Sequence, residues 1–146
     1  MGGFCRGGRI VLEEIIRGKH ERCFLPLRWL DYKRNQNNLA MRIFISSPYT
    51  IGDAALNVRA QIDAADELMT LGHAPYTPLL SHFQHIIHPR PIGDWMELDL
   101  EWMKVCNCLL RLPGPSRGAG IEIEYAKKMG LPVYFSIDEL IKSTKP

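Results

Sequence analysis

The stretch Cys108-Leu109-Leu110-Arg111-Leu112-Pro113-Gly114-Pro115-Ser116-Arg117-Gly118-Ala119-Gly120-Ile121-Glu122 decides the fold. An apolar strand over Cys108 to Leu112 stops at Pro and Gly, and a turn of small residues follows. A helical pattern then opens with a carboxylate in its first turn. Helix N-termini carry unpaired N–H groups and the positive end of a dipole, so they attract anions. Ser116, Gly118 and Gly120 let the backbone approach a phosphate, and Glu122 then stands beside whatever that phosphate carries. The plainer reading is an ordinary strand, turn and helix, with Ser116 as N-cap and Glu122 as a favourable first-turn acid.

The same alternation extends outward in both directions. Arg42 to Ser46 reads as a buried strand around Ile43, Phe44 and Ile45, followed by the loop Ser47-Pro48-Tyr49-Thr50-Ile51-Gly52-Asp53. A helix is predicted from Ala54 to Leu71, with Ala54, Leu56, Val58, Ile62, Ala65, Leu68 and Met69 as its apolar positions and Gly72 closing it. His73 to Tyr76 reads as a short strand and Leu79 to Pro91 as a loop with several histidines. Ile92 to Val105 is a second helix, Asn107 to Leu112 a strand, and Gly118 to Met129 a third helix with Gly130 beyond it. Pro132 to Ser136 completes the strands, and Asp138 to Lys142 is a short final helix. Strands alternating with helices specify an α/β fold: a three-layer, Rossmann- or flavodoxin-like parallel sheet with helices on both faces. Ligands of such sheets bind beyond the carboxyl ends of the strands, where the loops after Ile45 and Leu112 meet.

The chain has 146 residues, enough for one domain of this kind. Its net charge of +2 is unevenly placed: residues 1–40 hold eight Lys/Arg against four Asp/Glu, and residues 41–146 hold ten against twelve. That distribution gives no broad basic surface for polymeric nucleic acid. Residues 1–40 are read as an N-terminal extension, disordered or lying upstream of a functional start at Met41, with a peripheral helix or dimer arm as the competing view. Residues 41–146 are the α/β domain. Cys5, Cys23, Cys106 and Cys108 lack metal or redox spacing, and no apolar run approaches the length of a membrane span. The expected compartment is the cytoplasm, with Cys106 and Cys108 as free thiols.

Two acids stand out. Trp95, Asp99, Trp102 and Cys106 recur on one helical face, which places Asp99 between two tryptophans, where an acid is costly unless paired or working. Glu122 shares the inward side of its helix with Ala119, Ala126 and Met129, whereas Glu124 has Lys128 four residues on as a surface partner. The helix start is expected to keep Glu122 ionised, and the aromatic surroundings to bias Asp99 toward its protonated form. Two carboxyls with opposed environments suit glycosidic-bond chemistry. His82, His85 and His88 do not share a helix face, so a lid or base-contacting role is expected for them rather than a metal site.

Three segments together carry a family resemblance: Ser46-Ser47-Pro48-Tyr49-Thr50, Asp99-Leu100-Glu101-Trp102, and Pro115-Ser116-Arg117-Gly118-Ala119-Gly120-Ile121-Glu122 before Tyr125-Ala126. Over roughly Met41 to Ile137 the chain resembles the nucleoside 2-deoxyribosyltransferase superfamily and, within it, is similar to the 2′-deoxynucleoside 5′-monophosphate N-glycosidases. The resemblance implies cleavage or transfer of the N-glycosidic bond of a (deoxy)nucleoside or its 5′-monophosphate. It implies that Glu122 attacks C1′ to form a glycosyl ester, that Asp99 assists the base, and that the two carboxyls stand close together. Ser116, Gly118 and Ser47 would hold a 5′-phosphate, and Tyr49 would lie near the sugar. No metal or organic cofactor is implied, and a homodimer is. The family often has an acid where Asn107 stands and a glycine where Glu124 stands, and the segment from Pro78 to Pro91 matches nothing clearly. The alternatives are a nucleotide-binding module of the same fold without turnover, and a structural domain whose polar turn is only a helix cap.

Overall fold

The computed structural model describes residues 40–144. The extension expected over residues 1–40 falls outside the described residues, Ala40 apart, as do Cys5 and Cys23. Four strands form one all-parallel sheet: β1 (Arg42–Ser46), β2 (Ala74–Tyr76), β3 (Cys108–Arg111) and β4 (Val133–Tyr134), in the order β2-β1-β3-β4. Between and after them lie α1 (Ala54–Thr70), a 3₁₀ turn (Pro78–Leu80), α2 (Ser81–Ile87), α3 (Ile92–Met103), α4 (Arg117–Lys128) and α5 (Ile137–Thr144).

β1 is central and apolar on both faces, as a parallel strand covered twice must be. Ile43 and Ile45 point one way, packing with Cys108 and Leu110 against Ala65 and Leu68 of α1 and Leu140 of α5. Phe44 and Leu109 point the other way, against Met103 of α3 and Ala126 of α4. This is the three-layer α/β fold expected, Rossmann-like in type. β1 and β3 are locked at their start by Asn107, whose N–H donates to Arg42 O (2.7 Å) and whose Oδ1 accepts from Arg42 N (2.8 Å). Asn107, standing where the resembled family often has an acid, therefore has a structural job.

The strand order places a topological switch between β1 and β3. The chain leaves β1 toward β2 on one side and returns to β3 on the other, which opens a crevice beyond the carboxyl ends of both central strands. At that crevice Gly114 has φ +113°, and a Cβ built on it would lie 2.8 Å from Pro48 Cγ. The turn after β3 is thus pressed onto the loop after β1, and only glycine fits there.

Several boundaries differ from the sequence reading. Leu79 to Pro91 is not a loop: it holds the 3₁₀ turn and α2. Periodicity missed α2 because none of its residues is buried, so Phe83, Ile86 and Ile87 form no core stripe. β2 begins at Ala74, since the His73 N–H is used on Leu68 O to close α1. The inward stripe of α1 is Val58, Gln61, Ala64, Ala65 and Leu68, while Leu56, Ile62 and Met69 face outward. β4 is short because Ser136 and Glu139 cap α5: Glu139 N donates to Ser136 Oγ (3.1 Å), and Phe135 N to Glu139 Oε2 (2.7 Å). Cys106 and Cys108 are free thiols, and burial pushes Cys108 up to about 12. No helix among the described residues is long and apolar enough to cross a membrane.

Candidate functional site

α3 and α4 lie on the same face of the sheet, and each turns one carboxyl inward. Asp99 is 9% exposed and Glu122 is 7% exposed. Asp99 shares the buried face of α3 with Trp95 and Met103. Trp102 is not on that face: it is 49% exposed and stacks on Tyr76, with ring centroids 5.3 Å apart. Asp99 is therefore not held between two tryptophans. Its partner is Tyr76 at the end of β2, whose O–H donates to Oδ1 at 3.1 Å. Burial raises Asp99 to about 6 against the Tyr76 hydrogen bond, which lowers it. The upward direction agrees with the sequence expectation. The cause is desolvation, and the neighbouring hydroxyl works against it.

Glu122 overturns the opposite expectation. α4 begins at Arg117, so Glu122 is its sixth residue and the first turn carries no acid. The dipole effect fades within that first turn, and burial takes over. Burial pushes Glu122 up to about 7; the Ser46 hydroxyl lowers it, the Asp99 charge raises it, and the Arg111 guanidinium lowers it. Ser46 faces the carboxyl without closing a full hydrogen bond: Ser46 Oγ and Glu122 Oε2 are both buried and unpartnered. Ala119 and Ala126 share the inward face of Glu122 as expected, and Met129 does not. Glu124 is a surface acid, paired with Lys127 (3.4 Å) rather than Lys128.

Ser116 is the N-cap of α4, its Oγ accepting from Ala119 N at 3.1 Å. The plainer reading of Ser116 is therefore realised. The amides of Arg117 and Gly118 precede that of Ala119 at the open end, where a helix supplies no carbonyl partner. Gly118 is not sterically demanded in the way Gly114 is, because a Cβ there would meet only Met96 Cε (3.4 Å) and Ser116 Oγ (3.9 Å). Ser47 lies buried on the adjoining loop, its Oγ accepting from Gln61 Nε2 at 2.9 Å. Tyr49 goes elsewhere: its hydroxyl pairs with His82 Nδ1 at 2.5 Å. There it lines a cleft of about 440 Å³ with Thr50, Leu79, Ser81, His85, Arg90, Ile92 and Trp95. Neither Asp99 nor Glu122 lines that cleft; Trp95, which does, stands one turn before Asp99 on the same buried face of α3. A more open groove of about 480 Å³ runs along the outer face of α4, past Ile121, Glu124 and Lys128, away from Glu122.

Four residues of the site escaped the sequence reading. Gln61, 1% exposed, donates to Ile45 O (2.8 Å) and Ser47 Oγ, and accepts from Leu79 N (2.8 Å), tying β1, the serine loop and the 3₁₀ turn together. Its signal was an amide three residues after Val58 and four before Ala65 on an apolar stripe. Arg111 donates to Leu112 O and Gly114 O and also senses Glu122. An arginine ending an apolar strand could have flagged it. Tyr76 and Ser46 carried no comparable signal, because their roles depend on neighbours from other elements. Among the described residues no group of three or more His, Cys, Asp or Glu is arranged to hold a metal ion.

The chain belongs to the family described as Domain of unknown function (DUF7768), which it matches over residues 41–136. No curated protein matches it.

Proposed function

We propose, from the resemblance of the sequence motifs together with the pairing of the two acids, cleavage or transfer of the N-glycosidic bond of a (deoxy)nucleoside or its 5′-monophosphate, through a covalent glycosyl–glutamate intermediate; membership of the matched family assigns no reaction. One observation carries the reading: two buried carboxyls from different helices, electrostatically coupled, at the carboxyl edge of β1 and β3, with Glu122 Oε2 left unpartnered. Such a pair is costly to hold in a fold and is the kind of group that active sites retain.

In the proposed reaction the Glu122 carboxylate bonds to C1′ as the C1′–N bond breaks, and Asp99 delivers a proton to the departing base. Water or a second base then attacks C1′, gives up its proton to Asp99, and frees the Glu122 carboxylate. Tyr76 positions Asp99. Arg111 and Ser46 favour the charged form of Glu122. Ser47, Ser116 and the first amides of α4 would take the 5′-phosphate and orient C1′ by remote binding energy. The raised pKa of Glu122 favours a second reading, nucleotide binding without turnover, since a neutral carboxyl donates a hydrogen bond but is a poor nucleophile.

A panel of nucleosides and their 5′-monophosphates, assayed for free base by chromatography between pH 6 and 8, separates the two. The proposed reaction releases base, and Glu122→Ala reduces the rate by a factor on the order of 100 or more. Base release that survives Glu122→Ala excludes the covalent route. Thermal stabilisation by a nucleotide with no base released leaves the binding module.

A further inference from the structure

The cleft lined by Tyr49, His82, His85, Arg90 and Trp95 is rich in hydrogen-bond donors. Its volume, about 440 Å³, falls in the range of small-molecule sites. His85 Nδ1 accepts from Trp95 Nε1 (3.0 Å) and from Arg90 N (3.3 Å). With Nδ1 so used, the proton of the neutral ring sits on Nε2, and His85 is a donor. The Tyr49–His82 pair leaves one donor in either tautomer. If the phenol donates to Nδ1, the imidazole keeps an Nε2–H; if Nδ1–H donates, the phenol keeps its O–H. Arg90 adds a guanidinium only loosely paired with Asp94, at 3.8 Å on an exposed surface. Against these donors the lining offers weaker acceptors. It contains no carboxylate and no side-chain amide; what accepts are the hydroxyl oxygens of Thr50 and of Ser81, whose own proton goes to Pro78 O at 2.7 Å, and one atom of the Tyr49–His82 pair.

Position ties this cleft to the reacting centre. Tyr49 lies two residues beyond Ser47, and Leu79 is held by the Gln61 that also holds Ser47. Trp95 precedes Asp99 by one helical turn, roughly 6 Å along the axis.

We propose that this cleft receives the heterocycle of the substrate and selects rings that present carbonyl oxygens over rings that present an exocyclic amine at the recognised edge. The inference rests on the glycosidic reading above and names its substrate class: nucleotides of oxo-substituted bases. A carbonyl meets the donors of His85, the Tyr49–His82 pair and Arg90. An amine in the same place sets donor against donor and leaves both unpaired in a partly dry site.

Binding of free bases to the wild-type protein tests the selection without needing turnover. Calorimetric titration with hypoxanthine and uracil, against adenine and cytosine, should show the oxo bases binding about tenfold tighter or more. Arg90→Ala and His85→Phe should each shrink that preference, and Arg90→Ala, on an exposed side chain, leaves the fold intact if His85→Phe does not. Equal affinity for the two groups, a preference for the amino bases, absence of binding by any base, or a preference unchanged in Arg90→Ala overturns the proposal. Nucleotide turnover separates the two readings. Base release from all nucleotides alike upholds the reaction and overturns the selectivity. Selective binding of oxo bases with no base release upholds the selectivity and removes the reaction.

Discussion

Glu122 shows what it costs to bury an acid. Its carboxyl is raised from 4.5 to about 7, mainly by burial. The folded state therefore holds a proton that the unfolded chain has released. Stability from this group is fully present below about pH 4.5 and is lost as pH rises through about 7. The loss is on the order of 3 kcal/mol, a large share of a small domain's stability. Glu122→Gln removes this titration. In urea unfolding the variant should gain on the wild type as pH rises from 5 to 8, and match it near pH 4. Parallel pH dependences for the two proteins would show that Glu122 is not held neutral by the fold. Asp99 adds a smaller decline of the same sign, tempered by the hydroxyl of Tyr76.

At the level of elements, the site depends on one close approach between two loops. The turn after β3 reaches Pro48 through Gly114, whose φ of +113° and absent side chain are both required. Gly114→Ala should cost about 1–3 kcal/mol, because it adds backbone strain and drives a methyl into a proline ring. Gly120 makes a contrasting control. It lies inside α4, and a methyl added there would meet nothing within 4 Å, so Gly120→Ala should stabilise by up to about 1 kcal/mol. Thermal melts of the two variants check the pair; equal shifts would mean that the Pro48 contact does not matter. In the sequence, Gly114, Gly118 and Gly120 are three members of one turn. Only the packing of the loop after β1 against the loop after β3 distinguishes them.

For the molecule as a whole, the layer arrangement couples the acids. α3 and α4 pack on one face of the sheet, so Asp99 and Glu122 feel each other's charge, and their values near 6 and 7 belong to the pair. The singly protonated pair is most abundant between them, chiefly with the proton on Glu122, and the proposed reaction draws on its minor form with the proton on Asp99. Under the proposed reaction, kcat/KM should follow a narrow bell centred at about pH 6.5. Asp99→Asn removes the group whose proton the reaction uses, so the alkaline limb should disappear and leave a single rise with pH, while the rate falls by about 100-fold or more. A profile that stays flat from pH 5 to 8 in the wild type argues against a working pair. The sheet's other face, built from α1 and α5, supplies core, and Gln61 of α1 ties the serine loop to it.

The order of the strands and of the helices other than α2, the parallel sheet covered on both faces, and the two inward acids were legible from the chain. Each follows from local pattern: apolar runs bounded by Pro and Gly, and helical stripes with one polar member. α2 was illegible because a helix with no buried residue has no stripe to read. The protonation order of Asp99 and Glu122 was illegible for a different reason. It is set by desolvation, by Tyr76 from β2, and by Ser46 and Arg111 from β1 and β3, groups far apart in sequence. Tertiary structure alone decided which glycine is indispensable and which histidine nitrogen is left to donate. Those properties depend on the distance to a neighbour, and sequence spacing does not encode that distance.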